Sequence, residues 1–232
     1  YWIYEYDNLG QVTSGKKYFS DNAPVLGQQF DYAFDGIGNR TSTTTNGRNA
    51  NYSANNLNQY LQRDVPGAFD VFGTAKADAT VTVNNQSTTR HEEYFYKELT
   101  LNNTSSPVFE EITVVGVKNN AGLSNEDAVT EKMGSVYLPK TPEPFTYDDG
   151  GNLLSDGRWN YTWDGENRLV RMETIATVPE TAKRKLEFAY DSQSRRISKK
   201  TYGWDSSSSS YQLQASGSCV YDGWNKIVEL SG

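Results

Sequence analysis

Apolar and polar residues alternate along this chain in short runs, broken by clusters of Gly, Asn, Asp and Ser. Such runs predict half-buried strands, and the clusters predict the turns between them. One pattern recurs. Residues 4–12 read YEYDNLGQV, 32–40 YAFDGIGNR, 145–153 FTYDDGGNL, 161–169 YTWDGENRL and 219–227 CVYDGWNKI. Residues 188–197, FAYDSQSRRI, follow it with one extra residue, and YSANNLNQY at 52–60 is a degenerate copy. The consensus is aromatic, any residue, aromatic, Asp, two variable residues, a turn residue, a polar residue, then usually an aliphatic one.

Aromatics two apart lie on one face of a strand. The Asp carboxylate can accept backbone N–H groups two residues on and so opens a turn. Gly or Asn at the turn position tolerates positive φ. Each unit therefore predicts a β-hairpin. The residues carrying it are Tyr4, Tyr6, Asp7 and Gly10; Tyr32, Phe34, Asp35 and Gly38; Tyr52 and Asn55; Phe145, Tyr147, Asp148 and Gly151; Tyr161, Trp163, Asp164 and Asn167; Phe188, Tyr190 and Asp191; and Tyr221 and Asp222. A lone hairpin cannot bury an aromatic face. Neighbouring units must stack side by side into a long sheet in which each touches mainly its neighbours.

Asn55 and Asp148 are 93 residues apart, too long for a loop in a compact domain. Within that interval the units vanish. AFDVFGTA, TVTVNN, YFYKELTL, FEEITVVGVKN and SVYLPK read as short strands separated by NNQS, NNTSSP and NNAG. Regular strands so punctuated predict a small immunoglobulin-like or fibronectin-like β-sandwich. Pro66 and Gly67 mark its start, and PKTPEP its end as a stiff linker. The expected organisation is all-β: repeats over 1–64, an inserted sandwich over 65–142, and repeats again over 143–232, the stacked hairpins forming a curved or spiralling sheet.

The chain has 232 residues, net charge −7, sixteen Tyr, five Trp, one Cys and one His. The negative balance argues against nucleic acid, which needs clustered Lys and Arg. Lys183, Arg184 and Lys185, and the RRISKK stretch at 195–200, are read as solvated strand faces. Cys219 excludes a disulfide framework and is read as a small strand residue. The lone His91 excludes a multi-histidine metal site within the chain. No run approaches the roughly 18–20 apolar residues of a membrane span. Tyr1 is read as a cut inside a strand, so that the chain is expected to be a piece of something larger.

The Y-x-Y-D-x-x-G-N/R-L units resemble the YD repeats of RHS-repeat proteins, over about 1–62 and 143–232. That group includes bacterial polymorphic toxins, the cocoon subunits of insecticidal toxin complexes, wall-associated proteins and teneurins. The segment 65–142, with its G-x-A-x-x-x-A-x-V-x-V-N phrase, is more loosely similar to bacterial Ig-like modules. The resemblance implies a spiral β-sheet wound into a hollow shell, secreted or at the cell surface. Its partners would be the rest of the shell and an enclosed toxin or effector domain, or a glycan or surface protein in an adhesive member. Complete shells need many more repeats than seven. The self-cleavage motif of toxin members matches nothing in this chain, so no catalytic residue, cofactor or metal is expected.

The residues themselves suggest few sites. Turn aspartates spaced one per hairpin do not form the convergent pair that acid–base catalysis needs. DDGGN (148–152) and DGEN (164–167) are oxygen-rich but lack EF-hand spacing. GIGN lacks the strand–helix context and Lys of a phosphate loop. Exposed Trp and Tyr also serve sugar-binding surfaces, which makes Trp159, Trp163, Trp204 and Trp224 candidates.

Overall fold

The turn chemistry builds sequential antiparallel hairpins in the repeat regions at either end of the chain. The computed structural model describes residues 1–232. It is all-β, its only helical turns being Leu123–Asn125 and Glu180–Ala182. The chain divides into two compact units, Tyr1–Pro142 and Glu143–Gly232.

The first unit opens with β1 (Trp2–Tyr6), β2 (Val12–Tyr18), β3 (Pro24–Phe34), β4 (Arg40–Thr45), β5 (Arg48–Ala54) and β6 (Tyr60–Arg63). They lie side by side in chain order, each antiparallel to the last. At every aspartate hairpin the register slips at the residue before the Asp or Asn, between Glu5 and Tyr6, Ala33 and Phe34, and Ser53 and Ala54. These bulges admit one extra residue and locally strengthen the strand twist.

Seven strands follow: β7 (Ala68–Thr74), β8 (Thr80–Val83), β9 (Gln86–Ser87), β10 (Thr89–His91), β11 (Tyr94–Thr100), β12 (Val108–Lys118) and β13 (Ala128–Leu138). They form two sheets, ordered β10-β11-β7 and β13-β12-β8-β9. Val81, Val83, Phe95, Leu99 and Ile112 pack between them, with Val71, Val114 and Val136 at the margin. This is an immunoglobulin-type arrangement, with β7, β11 and β10 standing as strands B, E and D and β8, β9, β12 and β13 as C, C′, F and G.

Asn103, 1 % exposed, closes the base of the sandwich. Its side-chain amide donates to the Val65 and Pro139 carbonyls at 3.0 and 2.8 Å, and its main-chain carbonyl accepts the Thr141 N–H at 3.0 Å. Both connections to the repeats are thus tied to one buried side chain.

The outer face of β7 and β11 rests on the repeat sheet. Asp70 accepts from Arg48 (2.5 Å), Asn46 (2.7 Å) and the Tyr96 hydroxyl (2.8 Å), and Arg48 also reaches Glu98. The Tyr94 hydroxyl donates to the Leu26 carbonyl at 2.5 Å. His91 stacks on Phe19 at 3.9 Å, and its Nε2 lies 2.9 Å from Asp21. Gly27 makes the approach possible: its φ is +85°, and a Cβ there would come within 3.0 Å of the Phe72 ring.

The second unit contains β14 (Glu143–Pro144), β15 (Thr146–Tyr147), β16 (Leu153–Ser155), β17 (Trp159–Trp163), β18 (Leu169–Thr174), β19 (Arg184–Tyr190), β20 (Arg196–Asp205), β21 (Ser210–Asp222) and β22 (Asn225–Ser231). Strands β15 to β22 make one eight-stranded sheet in chain order. The same bulge recurs before Tyr147, Trp163, Tyr190 and Tyr221. In neither repeat sheet is a unit aromatic fully buried: Tyr4 and Tyr6 are exposed, and Tyr32, Phe34, Tyr52, Phe145, Tyr147, Tyr161, Trp163, Phe188, Tyr190 and Tyr221 are half-buried.

Candidate functional site: the row of aspartate turns

Six of the seven units share one turn. The side-chain Oδ1 of the first turn residue accepts the N–H groups two and four residues on. Asp7 takes Leu9 and Gln11, Asp35 takes Ile37 and Asn39, and Asn55 takes Leu57 and Gln59. Asp164 takes Glu166 and Arg168, and Asp191 takes Gln193 and Arg195, while Asp148 takes Asn152. The residue three on has positive φ: Gly10, Gly38, Asn58, Gly151, Asn167 and Ser194, all between 57° and 93°. The seventh unit differs. Asp222 pairs with Asn225 across a tight two-residue turn, and Gly223 takes the positive φ.

The polar residue four on does more than fill the consensus. Asn39 and Asn152 donate to Oδ2 of Asp35 and Asp148, and the guanidinium Nε of Arg168 and Arg195 does so to Asp164 and Asp191, at 2.7–3.0 Å. The same side chain then reaches the following turn. Asn39 donates to Asn58 Oδ1 at 3.1 Å and Asn152 to Asn167 Oδ1 at 2.9 Å. Arg168 donates to the Asp191 carbonyl at 3.3 Å, and Arg195 to the Gly223 carbonyl.

The aromatic before the Asp completes the link from the other side. The Trp163 indole N–H donates to Leu153 O, the Tyr190 hydroxyl to Leu169 O and the Tyr221 hydroxyl to Arg196 O, at 2.8–2.9 Å. Each acceptor is the first return-strand residue of the preceding unit. Arg168 lies over the Tyr190 ring and Arg195 over the Tyr221 ring, 5.3 and 5.2 Å from their centroids.

This saturation sets the chemistry. Asn39 and Asn152 hold the Asp35 and Asp148 carboxyls below the ordinary carboxylate range. At Asp164 and Asp191 partial desolvation pulls upward, but the N–H and guanidinium of Arg168 and Arg195 outweigh it, and both are lowered. Each of these carboxylates stays ionised with both oxygens engaged, which suits a capping anion and not a proton donor near neutral pH. The amides of GIGN point at Asp35, so the anion they bind is the chain's own. No group of three His, Cys, Asp or Glu side chains is placed to hold a metal ion.

The four candidate tryptophans do not converge. Trp159 opens β17 and Trp163 ends it beside the Asp164 turn, about 13 Å along the strand. Trp204 lies at the far end of β20 from the aspartate turns, beneath Lys183 (4.4 Å) and edge-on to Tyr211 (5.1 Å). Trp224, 75 % exposed, tips the last hairpin. Lys183 and Lys185, read from sequence as solvated, lay their ammonium groups over Trp204 and Tyr202. Cys219 is a half-buried free thiol in β21.

Sequence reasoning missed the cross-turn role of Asn39, Asn152, Arg168 and Arg195, although their position was visible in the consensus. It also missed Asp70 and Asn103, which no repeat marks. No helix is long and apolar enough to cross a membrane. Neither a family model nor a curated protein matches this chain.

Proposed function

We propose that this chain is a non-catalytic structural segment of a large secreted or surface shell of the RHS type, one that encloses or presents a toxin or effector domain. The observation that carries the reading is that four turns are finished by the unit before them: those at Asn58, Asn167, Asp191 and Gly223 accept from Asn39, Asn152, Arg168 and Arg195. Arg168 completes both its own Asp164 and the Asp191 turn, and Arg195 does the same for Asp191 and Gly223. An architecture made of nearest-neighbour contacts extends by repetition and has no natural centre where a catalytic pocket would form. The engaged, ionised turn carboxylates support the absence of catalysis. The test is electron cryomicroscopy of the chain within the polypeptide that natively carries it. A continuous sheet enclosing a cavity with separate density inside is expected. A solid particle without a cavity would overturn the reading.

A second reading is a surface module that binds glycan or a partner protein. What favours it is the exposure of turn tips: Leu9, Ile37 and Leu57 are 72–76 % exposed at equivalent positions, and Trp224 is 75 % exposed. Glycan-array binding that disappears in Trp224→Ala would support it, and binding indifferent to that change would remove Trp224 from any sugar site.

A further inference from the structure

The sandwich is one strand short. Its smaller sheet runs β10-β11-β7, the equivalents of D, E and B, and ends at β7 with one edge unpaired. A complete sandwich places strand A on that edge. This chain cannot supply it from the N-terminal side, because the preceding strand β6 belongs to the repeat sheet and ends at Arg63, only a few residues before β7 begins at Ala68.

The missing strand leaves a slot. Pairing of Ile112 with Gly134, Val114 with Lys132 and Gly116 with Thr130 places Thr130, Lys132 and Gly134 on the core-facing side of β13. All three are nevertheless exposed, as are their outward neighbours Val129 and Met133. Val71, Phe95, Val114 and Gly116 line a cavity of about 610 Å³ there, and Phe69, Ile112 and Val136 continue it along β7 as a second cavity of about 280 Å³. Small residues widen the slot: Gly116 has no atom nearer than 4.0 Å to where a Cβ would stand. Lys76, Lys118 and Lys132 rim it, Lys118 being paired with Asp78 at 2.9 Å.

We propose that this slot accepts an extended strand from another polypeptide, of alternating apolar residues and carrying acidic side chains, which pairs with the free edge of β7 and completes the sandwich. An unpaired edge beside an apolar slot is the geometry of strand addition, in which main-chain bonds give affinity and alternate side chains give specificity. Lys76 and Lys118 stand at the Thr74 end of the slot and Lys132 about midway along it, a rim that favours an acidic guest. β7 is seven residues long and fixes the length of the guest at about the same number.

The probe is the synthetic peptide acetyl-Asp-Val-Thr-Val-Thr-Val-Asp-amide, titrated calorimetrically into the full chain, with amide hydrogen exchange followed by mass spectrometry. Saturable binding with slowed exchange across 68–74 is expected. Replacing the central Val by Pro removes a donor and should abolish binding. Gly116→Leu fills the slot floor and should weaken binding at least tenfold, with a thermal scan showing that the chain remains folded. Lys132→Glu, at an exposed site, should weaken the acidic peptide and favour a Lys-ended version. The proposal is overturned by no binding at millimolar peptide, by binding without protection of β7, by binding that ignores both variants, or by dimers of the chain that already protect β7.

Discussion

In the sandwich, Val81, Val83, Phe95, Leu99 and Ile112 meet between two sheets, each 8 % exposed or less; in the repeat sheets no unit aromatic reaches that burial. The two regions use similar residue types differently. The sandwich hides apolar surface between layers, so its stability scales with area removed from water. The repeat sheets lay aromatics on a half-open face and cover them with guanidinium and ammonium groups. They fasten adjacent hairpins with hydrogen bonds from Arg168, Arg195, Trp163, Tyr190 and Tyr221. A layered core is cooperative across all its strands. A ladder of neighbour contacts is cooperative only over adjacent rungs.

The largest loss of stability comes from the sandwich. Phe95→Ala empties a site between the sheets and should cost about 3–5 kcal/mol, the usual range for a buried Phe. Urea denaturation followed by segment-resolved hydrogen exchange should show β8, β11 and β12 losing protection together. Under the same conditions the Asp164 and Asp191 turns should be unchanged. Next comes the seam between sandwich and repeats. Arg48→Met leaves the Asp70 carboxylate with only Asn46 and Tyr96 as donors, and should cost about 2 kcal/mol, less than a fully buried pair loses. Adding Asp70→Asn should recover part of that loss, which a double-mutant cycle measures. No recovery would mean that Arg48 acts through packing alone.

The same contrast explains what could be read in the sequence. The aspartate hairpins were legible because a turn needs particular atoms at fixed offsets: a carboxylate, then an amide two on, then positive φ. The sandwich strands β7, β8, β11 and β12 were legible from alternation. The first half of β13 was not, because AVTEK lies on an edge exposed on both faces and carries no period. Asp222 follows the consensus, yet Gly223 directly after it permits a tighter turn, a choice between two allowed geometries that the pattern does not encode. Arg48, Asp70 and Asn103 meet partners 22 to 50 residues away, and only the folded chain brings those together.

Smaller effects test the ladder itself. Tyr190→Phe removes the donor to Leu169 O while keeping the ring beneath Arg168, and should cost about 1 kcal/mol, one net hydrogen bond. Arg195→Lys keeps the charge and loses the planar fork that joins Asp191, Gly223 and the Tyr221 ring, and should also cost about 1 kcal/mol. In both, exchange should quicken at the altered rung and its neighbour but not two rungs away. Loss of protection across the whole sheet would show that the repeats share a cooperative core after all.

The smallest effect per residue, and the one that most sharply separates the regions, is acid titration. Asp35, Asp148, Asp164 and Asp191 are all held below the ordinary carboxylate range by their turn donors. A depressed folded-state pKa stabilises the folded chain above the unfolded value of about 4, and that contribution is lost as pH falls through the folded value. Protection factors at the Ile37, Glu166 and Gln193 amides should therefore fall progressively below about pH 4. The core of Val81, Val83, Phe95, Leu99 and Ile112, which contains no carboxylate, should hold. Asp78, lowered by Lys118 on the sandwich rim, should follow the repeats and not the core beside it. Alkali acts in the opposite sense. Burial first, and Asp70 second, push Tyr94 and Tyr96 up to about 12, so what these two hydroxyls contribute to the seam is complete below about pH 10 and is lost as pH climbs toward 12. Alkali separates the regions less cleanly, because burial and Asp156 also raise Tyr161 in the second unit. Equal acid sensitivity at Val83 and at Ile37 would show that the turns and the core unfold as one body, and the distinction between layer and ladder would fall.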